Sequence, residues 1–360
     1  MSLWRCLSGN WLNLLVLALP IALGLRLVGA NDVAIFATSA LAIVPLAGLI
    51  GRATDELSAY VGPGLGGFLN ATFGNATELI IVLLALHAGL VEVVKASLSG
   101  SILGNLLLVL GLAMTLGGWG RDKQTFNRTQ AGASGAMLFL AVVALVMPAL
   151  YDFAVGGSRP GAAHVMDISV LVSVVMLATY AGSLVFSLRT HRELLSSVGH
   201  REQQAPELSR RQAIVLLAGA TVLTALAAET LVGSVEAAAH ALGLSDFFVG
   251  VIVVAIIGNA AEHFAAVWLA RQNKMDLAVT IAISSGTQVA LLVAPVAVLA
   301  SLALGHPMAL VFNAFELAAI ILSVLAVNLV AHDGESNWLE GVQLLGIYAI
   351  LAIVFVFVPA

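Results

Sequence analysis

The chain has little charge, one cysteine and few aromatic residues, and the first two scarcities each exclude a class of protein. Charged side chains make up 10% of its 360 residues, against about 25% in soluble domains, so they cannot cover a water-facing surface of the size required. A soluble multidomain enzyme is excluded. Cys6 stands alone, which rules out an internal disulfide framework and any cysteine-built metal site, and leaves the redox compartment unread. No basic run is long enough to point to nucleic acid, and the net charge of -5 is mild. What abounds is apolar surface: 60% of residues are hydrophobic and the mean hydropathy is +1.04. This is the composition of an integral membrane protein whose surroundings are a lipid bilayer.

A helix needs about 20 apolar residues to cross the hydrocarbon core. At that grain the sequence predicts an all-α polytopic membrane protein with eleven spans, near 10–28, 33–58, 66–88, 92–118, 129–150, 165–189, 211–241, 246–270, 276–304, 308–331 and 338–358. Continuous apolarity, without the ten-residue alternation of outer-membrane strands, excludes a transmembrane barrel. Arg5 ahead of an apolar stretch, with Val28, Gly29 and Ala30 shaped like a cleavage site, resembles a secretory signal; a retained first helix is the reading adopted. Basic residues then set the orientation. With the N-terminus in the cytoplasm, Arg5, Arg121, Lys123, Arg128, Arg189, Arg192, Arg201, Arg210, Arg211, Arg271 and Lys274 fall inside. Only Arg26, Lys95 and Arg159 fall outside, and the C-terminus is expected there too. The polar stretch 190–210 is the one linker, separating a first helix (1–30) and a five-span unit (31–189) from a second five-span unit (211–360).

The two units share a repeat. GNATELI at 74–80 matches GNAAEHF at 258–264, an offset of 184 that carries on to SILGNLL from Ser101 against SGTQVAL from Ser285. In the preceding helix of each unit, Glu56 and Glu229 lie in related surroundings at a different spacing. Five spans is an odd number, so the second copy is expected upside down relative to the first. Inverted repeats place a substrate site at their interface near the bilayer midplane.

An ionised side chain in mid-span costs about 3 kcal/mol on insertion scales, so Glu78 and Glu262 need a reason to be there. Asn75 and Asn259 stand three residues before them on the same helical face. Gly74 and Gly258 weaken the helix just ahead and allow carbonyls to turn inward. Paired carboxylates with amide and hydroxyl oxygens form a hard-oxygen environment suited to Ca2+. Without the metal, two facing carboxylates repel each other and are costly to desolvate, so protons take its place. Metal and proton then compete for one site, and the protonated carrier reorients nearly neutral.

At these residues the sequence resembles the calcium/proton (cation/proton) antiporter family, a branch of the calcium/cation antiporter superfamily. The likeness runs from about 40 to 350 and includes KASLSGSILGNLLLVLG from Lys95, KMDLAVTIAISSGTQVAL from Lys274 and NWLEG from Asn337. It implies Ca2+/H+ exchange by alternating access, with Glu78 and Glu262 as central ligands and with Asn75, Asn259, Ser101, Ser285, Gln288 and the carbonyls of both GNxxE segments nearby. It further implies that Glu56 and Glu229 relay protons and cations on sliding helices. Family members often carry an acidic helix between the halves. Here Glu193, Glu202 and Glu207 are offset by Arg192, Arg201, Arg210 and Arg211, which argues against a regulatory calcium site. His87 stands where a longer basic residue is expected, and its role is open. Without a long N-terminal extension of the vacuolar type, the expected location is a prokaryotic plasma membrane.

Other readings of the residues are blander. Glu78 and Glu262 as mere interhelical hydrogen-bonding acids do not explain two copies at one offset. Asn105, Ser101, Ser285 and Gln288 also suit interhelical hydrogen-bond glue, and Glu56 and Glu229 suit interfacial acids paired with Arg52 or solvent. Asn105 and His263 are expected behind the ligands; His263 points about 100° away from Glu262 on a helix. Glu236, Asp246 and Glu316 read as structural groups near span ends. The stretch Gly62 to Gly67 is no phosphate loop, since no Lys-Ser/Thr follows. A sodium-coupled exchanger of the same superfamily is the alternative function. An intramembrane hydrolase is disfavoured because no His-Glu-x-x-His occurs, and a channel because carboxylates central to both halves suit an occluded site. No cofactor beyond the transported ions is called for, and association with further copies is left open.

Overall fold

The computed structural model describes residues 11–155, 164–190 and 206–358. Arg5, Cys6, Arg159, Arg192, Glu193, Arg201 and Glu202 lie outside these residues, and with them most of the expected linker. In chain order the helices are α1 (Leu12–Leu27), α2 (Asp32–Gly62), α3 (Leu65–Phe73), α4 (Ala76–His87), α5 (Val91–Gly118), α6 (Arg128–Val155), α7 (Val165–Thr190) and α8 (Arg210–Val232). There follow α9 (Val235–Leu242), α10 (Asp246–Gly258), α11 (Ala260–Arg271), α12 (Met275–Leu304), α13 (Ala314–Val330) and α14 (Trp338–Val356). Among the described residues seven of these are long and apolar enough to cross a membrane, or up to nine if the bent pairs α3/α4 and α9/α10 each count as one crossing. The chain is a nearly all-helical integral membrane protein.

Local chemistry sets the boundaries. Asn31 caps α2 by accepting from Val33 N at 2.8 Å, and α2 runs past the expected residue 58 to Gly62, where φ of 81° ends it. Its 31 residues span about 46 Å at 1.5 Å each, more than the hydrocarbon core of about 30 Å, so one end projects beyond it. Reciprocal capping boxes start α8 (Ser209 with Gln212), α13 (Asn313 with Glu316) and α14 (Asn337 with Glu340). The expected span 211–241 is divided. Gly233 weakens the helix and the Ser234 hydroxyl turns back to the carbonyls of Thr230 and Leu231 at 3.0 and 3.1 Å, which separates α9 from α8. Gly243, at φ 70°, then turns the chain by 114° into α10.

Small residues bring helices close. A Cβ added to Gly250 of α10 would stand 2.8 Å from the Ala96 Cβ of α5, and one on Gly111 of α5 would stand 3.0 Å from the Gly341 carbonyl oxygen of α14. α5 is buried along most of its length, whereas α7 and α14 lie at the periphery. Both α5 and α12 contain a π-helical turn, at Gly104–Val109 and Val289–Val293. They run antiparallel. Gly89, ahead of α5, faces His306 beyond the end of α12. Past the end of α5, Gln124 donates to Asn273 at 2.9 Å and the Asn127 amide donates to Asp276 in the first turn of α12. There a two-residue ladder pairs β1 (Gln124–Thr125) with β2 (Glu335–Ser336), and Lys123 meets Glu335 at 2.6 Å.

Candidate functional site

The repeat becomes a pair of helix breaks. α3 gives way to α4 at Gly74 and Asn75 with a bend of 44°, and α10 gives way to α11 at Asn259. α4 and α11 begin 184 residues apart, as do α5 and α12. Asn75 and Asn259 adopt nearly one conformation, φ -100° ψ 18° and φ -97° ψ 7°. Each turns its side-chain amide back onto the helix before it: Asn75 Nδ2 to the Ala71 carbonyl at 3.3 Å, Asn259 Nδ2 to the Ala255 carbonyl at 2.9 Å. The two side chains thus bond the equivalent carbonyl in both copies, and that of Ala255 also accepts from the Asn259 main-chain N–H at 3.2 Å. Glu78 and Glu262 each sit in the first turn after the break.

Hydrogen bonds then cross between the copies. Asn75 Nδ2 donates to Gln288 Oε1 at the end of the regular part of α12. Asn105 Nδ2, in the π turn of α5, donates to Asn259 Oδ1 at 2.8 Å and to Ser285 Oγ at 2.9 Å. Ser285 has one proton and accepts from Asn105, so its own O–H goes to Glu262 Oε2. Asn259 Nδ2 also donates to Ser101 Oγ at 2.9 Å. The main chain of Gly258 packs on the Glu78 side chain, where an added Cβ would stand 3.6 Å from Glu78 Cγ.

The arrangement is lopsided. Glu262 has a side-chain donor, whereas Glu78, only 5% exposed, has no donor from another residue for either oxygen among the described residues. Asn75 Oδ1 and Asn105 Oδ1 are likewise buried acceptors without a donor there. Four buried oxygens, two of them on one carboxylate, therefore accept no hydrogen bond from another residue among the described residues. Such groups are costly unless something positive meets them, and a hard cation or protons are what such oxygens accept.

A family profile described as sodium/calcium exchanger protein matches residues 31–189 and 212–357, most of the chain. The chain belongs to the sodium/calcium exchanger protein family. This exchanger is 44% identical over 360 residues to a Ca2+/H+ antiporter of Aphanothece halophytica, covering 96% of each chain. It is 43% identical over 325 residues to the Ca2+/H+ antiporter ChaA of Bacillus subtilis (strain 168), covering 89% of this chain and 91% of that one. Among solved structures, native YfkE superposes with a TM-score of 0.83 at 39% identity, over 96% of this chain and 100% of that one. The H+/Ca2+ exchanger CAX, at 16% identity and a TM-score of 0.72 over 96% and 90% of the two chains, shares the fold.

In the exchanger, Asn105, Asn259, Ser101, Ser285 and Glu262 join one hydrogen-bonded network, Asn75 pairs with Gln288, and Glu78 packs on Gly258, while His87 is exposed. Asn105 Oδ1 is one of the unpartnered oxygens. His263 is part-buried and its Nε2 has no hydrogen-bond partner among the described residues. The two outlying carboxylates lie apart. Glu56 Oε2 accepts from the Leu208 amide at 3.0 Å, and Glu229 pairs with Arg26 at 3.3 Å. Arg52, which the blander reading offered to these two acids as a partner, pairs with Glu207 at 2.9 Å. Glu316 is more embedded than a span-end residue: it is 3% exposed, caps α13 and accepts from Ser99 Oγ at 2.7 Å. An acid at the third position after Asn313 is the sequence signal of that capping box. The contacts to Arg26 and Leu208 had no sequence signal.

Proposed function

We propose that the chain is a secondary active transporter that exchanges Ca2+ for H+ by alternating access, with metal and protons competing for Glu78 and Glu262. The observation that carries this reading is the set of four buried oxygens, on Glu78, Asn75 and Asn105, that no other residue's donor meets among the described residues. Ca2+ replaces its hydration shell with six to eight oxygens, and the two carboxylates, the amides of Asn75 and Asn105 and the helix-end carbonyls supply that chemistry, with Ser101, Ser285, Asn259 and Gln288 holding them in place. Protonating Glu78 and Glu262 discharges the same site, so each ion makes the other leave. Glu56 and Glu229 relay ions between the site and the two faces. The names of the antiporter relatives at 43–44% identity support the pair of ions, and thereby the proton branch over the sodium-coupled one.

The architecture that suits this mechanism is eleven crossings: α1, then two inverted five-crossing repeats (31–189 and 211–360) joined by the 190–210 linker. The antiparallel course of α5 and α12, which begin 184 residues apart, supports the inversion, and the two separately matched segments support the division. The N-terminus is then cytoplasmic, the C-terminus outside, and the membrane a prokaryotic plasma membrane. The test is calcium uptake by purified protein in liposomes with pH and sodium gradients imposed separately. Uptake driven by the pH gradient alone is expected; uptake that needs sodium would replace this reading with the sodium-coupled one.

A further inference from the structure

The first helix lies outside both matched segments. Its last turn nevertheless reaches Glu229: Arg26 Nη1 stands 3.3 Å from Glu229 Oε1, between residues 203 apart in the chain. An arginine at a helix C-terminus is favourable on its own account, but that requires no partner on α8. The other outlying carboxylate is treated differently. Glu56 accepts from a neutral donor, the Leu208 amide, while the Leu208 carbonyl accepts from Tyr60 at 2.7 Å and the Arg52 charge is spent on Glu207. Among the described residues, one carboxylate of the pair thus meets a cation at salt-bridge distance and the other does not.

We propose that Arg26 is a tethered competitor at Glu229, a positioning residue whose guanidinium occupies the carboxylate that an incoming divalent cation must use. The inference rests on Glu229 being a relay. Both side chains are about half exposed, 48% for Arg26 and 56% for Glu229, so the pair is labile enough to open in each cycle. A cation binding at Glu229 has to displace the guanidinium. The concentration dependence of transport on that face therefore carries a penalty set by α1, and the opposite face, where Leu208 holds Glu56, carries none of this kind. Divalent selectivity follows the same logic, since a doubly charged ion displaces a guanidinium more readily than a singly charged one.

The test is the initial rate of calcium uptake against calcium concentration in sealed vesicles of both orientations, for wild type, Arg26→Gln, Arg26→Lys, Glu229→Gln and the double variant Arg26→Gln/Glu229→Gln. Arg26→Gln is expected to lower KM about two- to fivefold in one orientation only, the range an exposed ion pair supports, without lowering the maximal rate. Arg26→Lys, which keeps the charge, should bring KM back to within about twofold of wild type. In the Glu229→Gln background, itself slow, Arg26→Gln should leave KM unmoved, because the two residues act as one unit. An unchanged or raised KM in Arg26→Gln, or the same shift in the Glu229→Gln background, overturns the proposal. Wild-type transport by Glu229→Gln removes instead the relay reading beneath it. If Arg26→Gln is not recovered from the membrane, Arg26→Met, which keeps the aliphatic stem, takes its place in the cycle.

Discussion

Ser101 and Ser285 occupy equivalent places in the repeat, yet their surroundings make opposite demands, and alanine at each should separate them. Ser285 accepts from Asn105 Nδ2 at 2.9 Å and donates to Glu262. Ser285→Ala strands a buried amide N–H and takes the only side-chain donor from a carboxylate. At about 1–3 kcal/mol for each of the two buried groups left unsatisfied, the loss is about 3–5 kcal/mol. Ser101 accepts one bond, from Asn259 Nδ2 at 2.9 Å, and the other N–H of that amide still reaches the Ala255 carbonyl. Ser101→Ala therefore costs about 1–2 kcal/mol. The gap of about 2–3 kcal/mol should appear as a difference of roughly 3–4 °C in the thermal midpoints of the two calcium-free proteins in detergent, at one scan rate. Equal midpoints, or a lower one for Ser101→Ala, would refute the polarity assigned to the Asn105, Ser285 and Glu262 chain.

Other outcomes follow from the same geometry. Glu78→Gln or Glu262→Gln should abolish exchange in vesicles while the protein remains inserted and folded, since Gln keeps the volume and loses the charge; near-normal uptake by either variant would remove the shared site. Glu56→Gln should slow transport more than it weakens calcium binding at equilibrium, and a loss of binding as complete as in the central variants would make Glu56 a ligand. Acid should oppose calcium, because protons and metal claim the same carboxylates: equilibrium binding should weaken steadily as pH falls from about 8 to 5, and a flat profile would count against competition. Gly100→Ala should destabilise the fold by about 2 kcal/mol or more in a denaturation assay, because its Cβ would fall on the Val251 main chain of α10. Gly48→Ala, where a Cβ meets nothing within 4 Å, should be neutral or mildly stabilising.

Much of the site was legible in the sequence because its chemistry is repeated. Glu78 and Glu262 stood out through their matched GNxxE contexts, and the structure gives those contexts a common geometry, two asparagines turned back onto the carbonyls of Ala71 and Ala255. The position of Asn105 was not legible. It has no amide counterpart 184 residues later, where Val289 stands, and a π turn beginning at Gly104 changes which residues face the site. Periodicity arguments assume an unbroken 3.6-residue helix, and this one is not. Gln288, one residue before the second π turn, meets Asn75 for a similar reason.

The partners of Glu56 and Glu229 were invisible for another cause. Both are contacts between elements distant in the chain, 152 and 203 residues apart, and one partner is a main-chain amide that no sequence pattern marks. Helix limits failed where a single side chain decided them. The expected span 211–241 looked continuous because Gly233 and Ser234 interrupt an otherwise apolar run, and only the Ser234 hydroxyl bonding back to Thr230 and Leu231 shows that the run ends there.

The central claim is that one pair of carboxylates binds either metal or protons, and the most direct measurement is the number of protons released when calcium binds the purified protein in weakly buffered detergent solution. Wild type should release about two protons per calcium near neutral pH, and Glu78→Gln and Glu262→Gln should release none because neither binds the ion. Calcium bound with no proton release by wild type, or undiminished release by either variant, would contradict it.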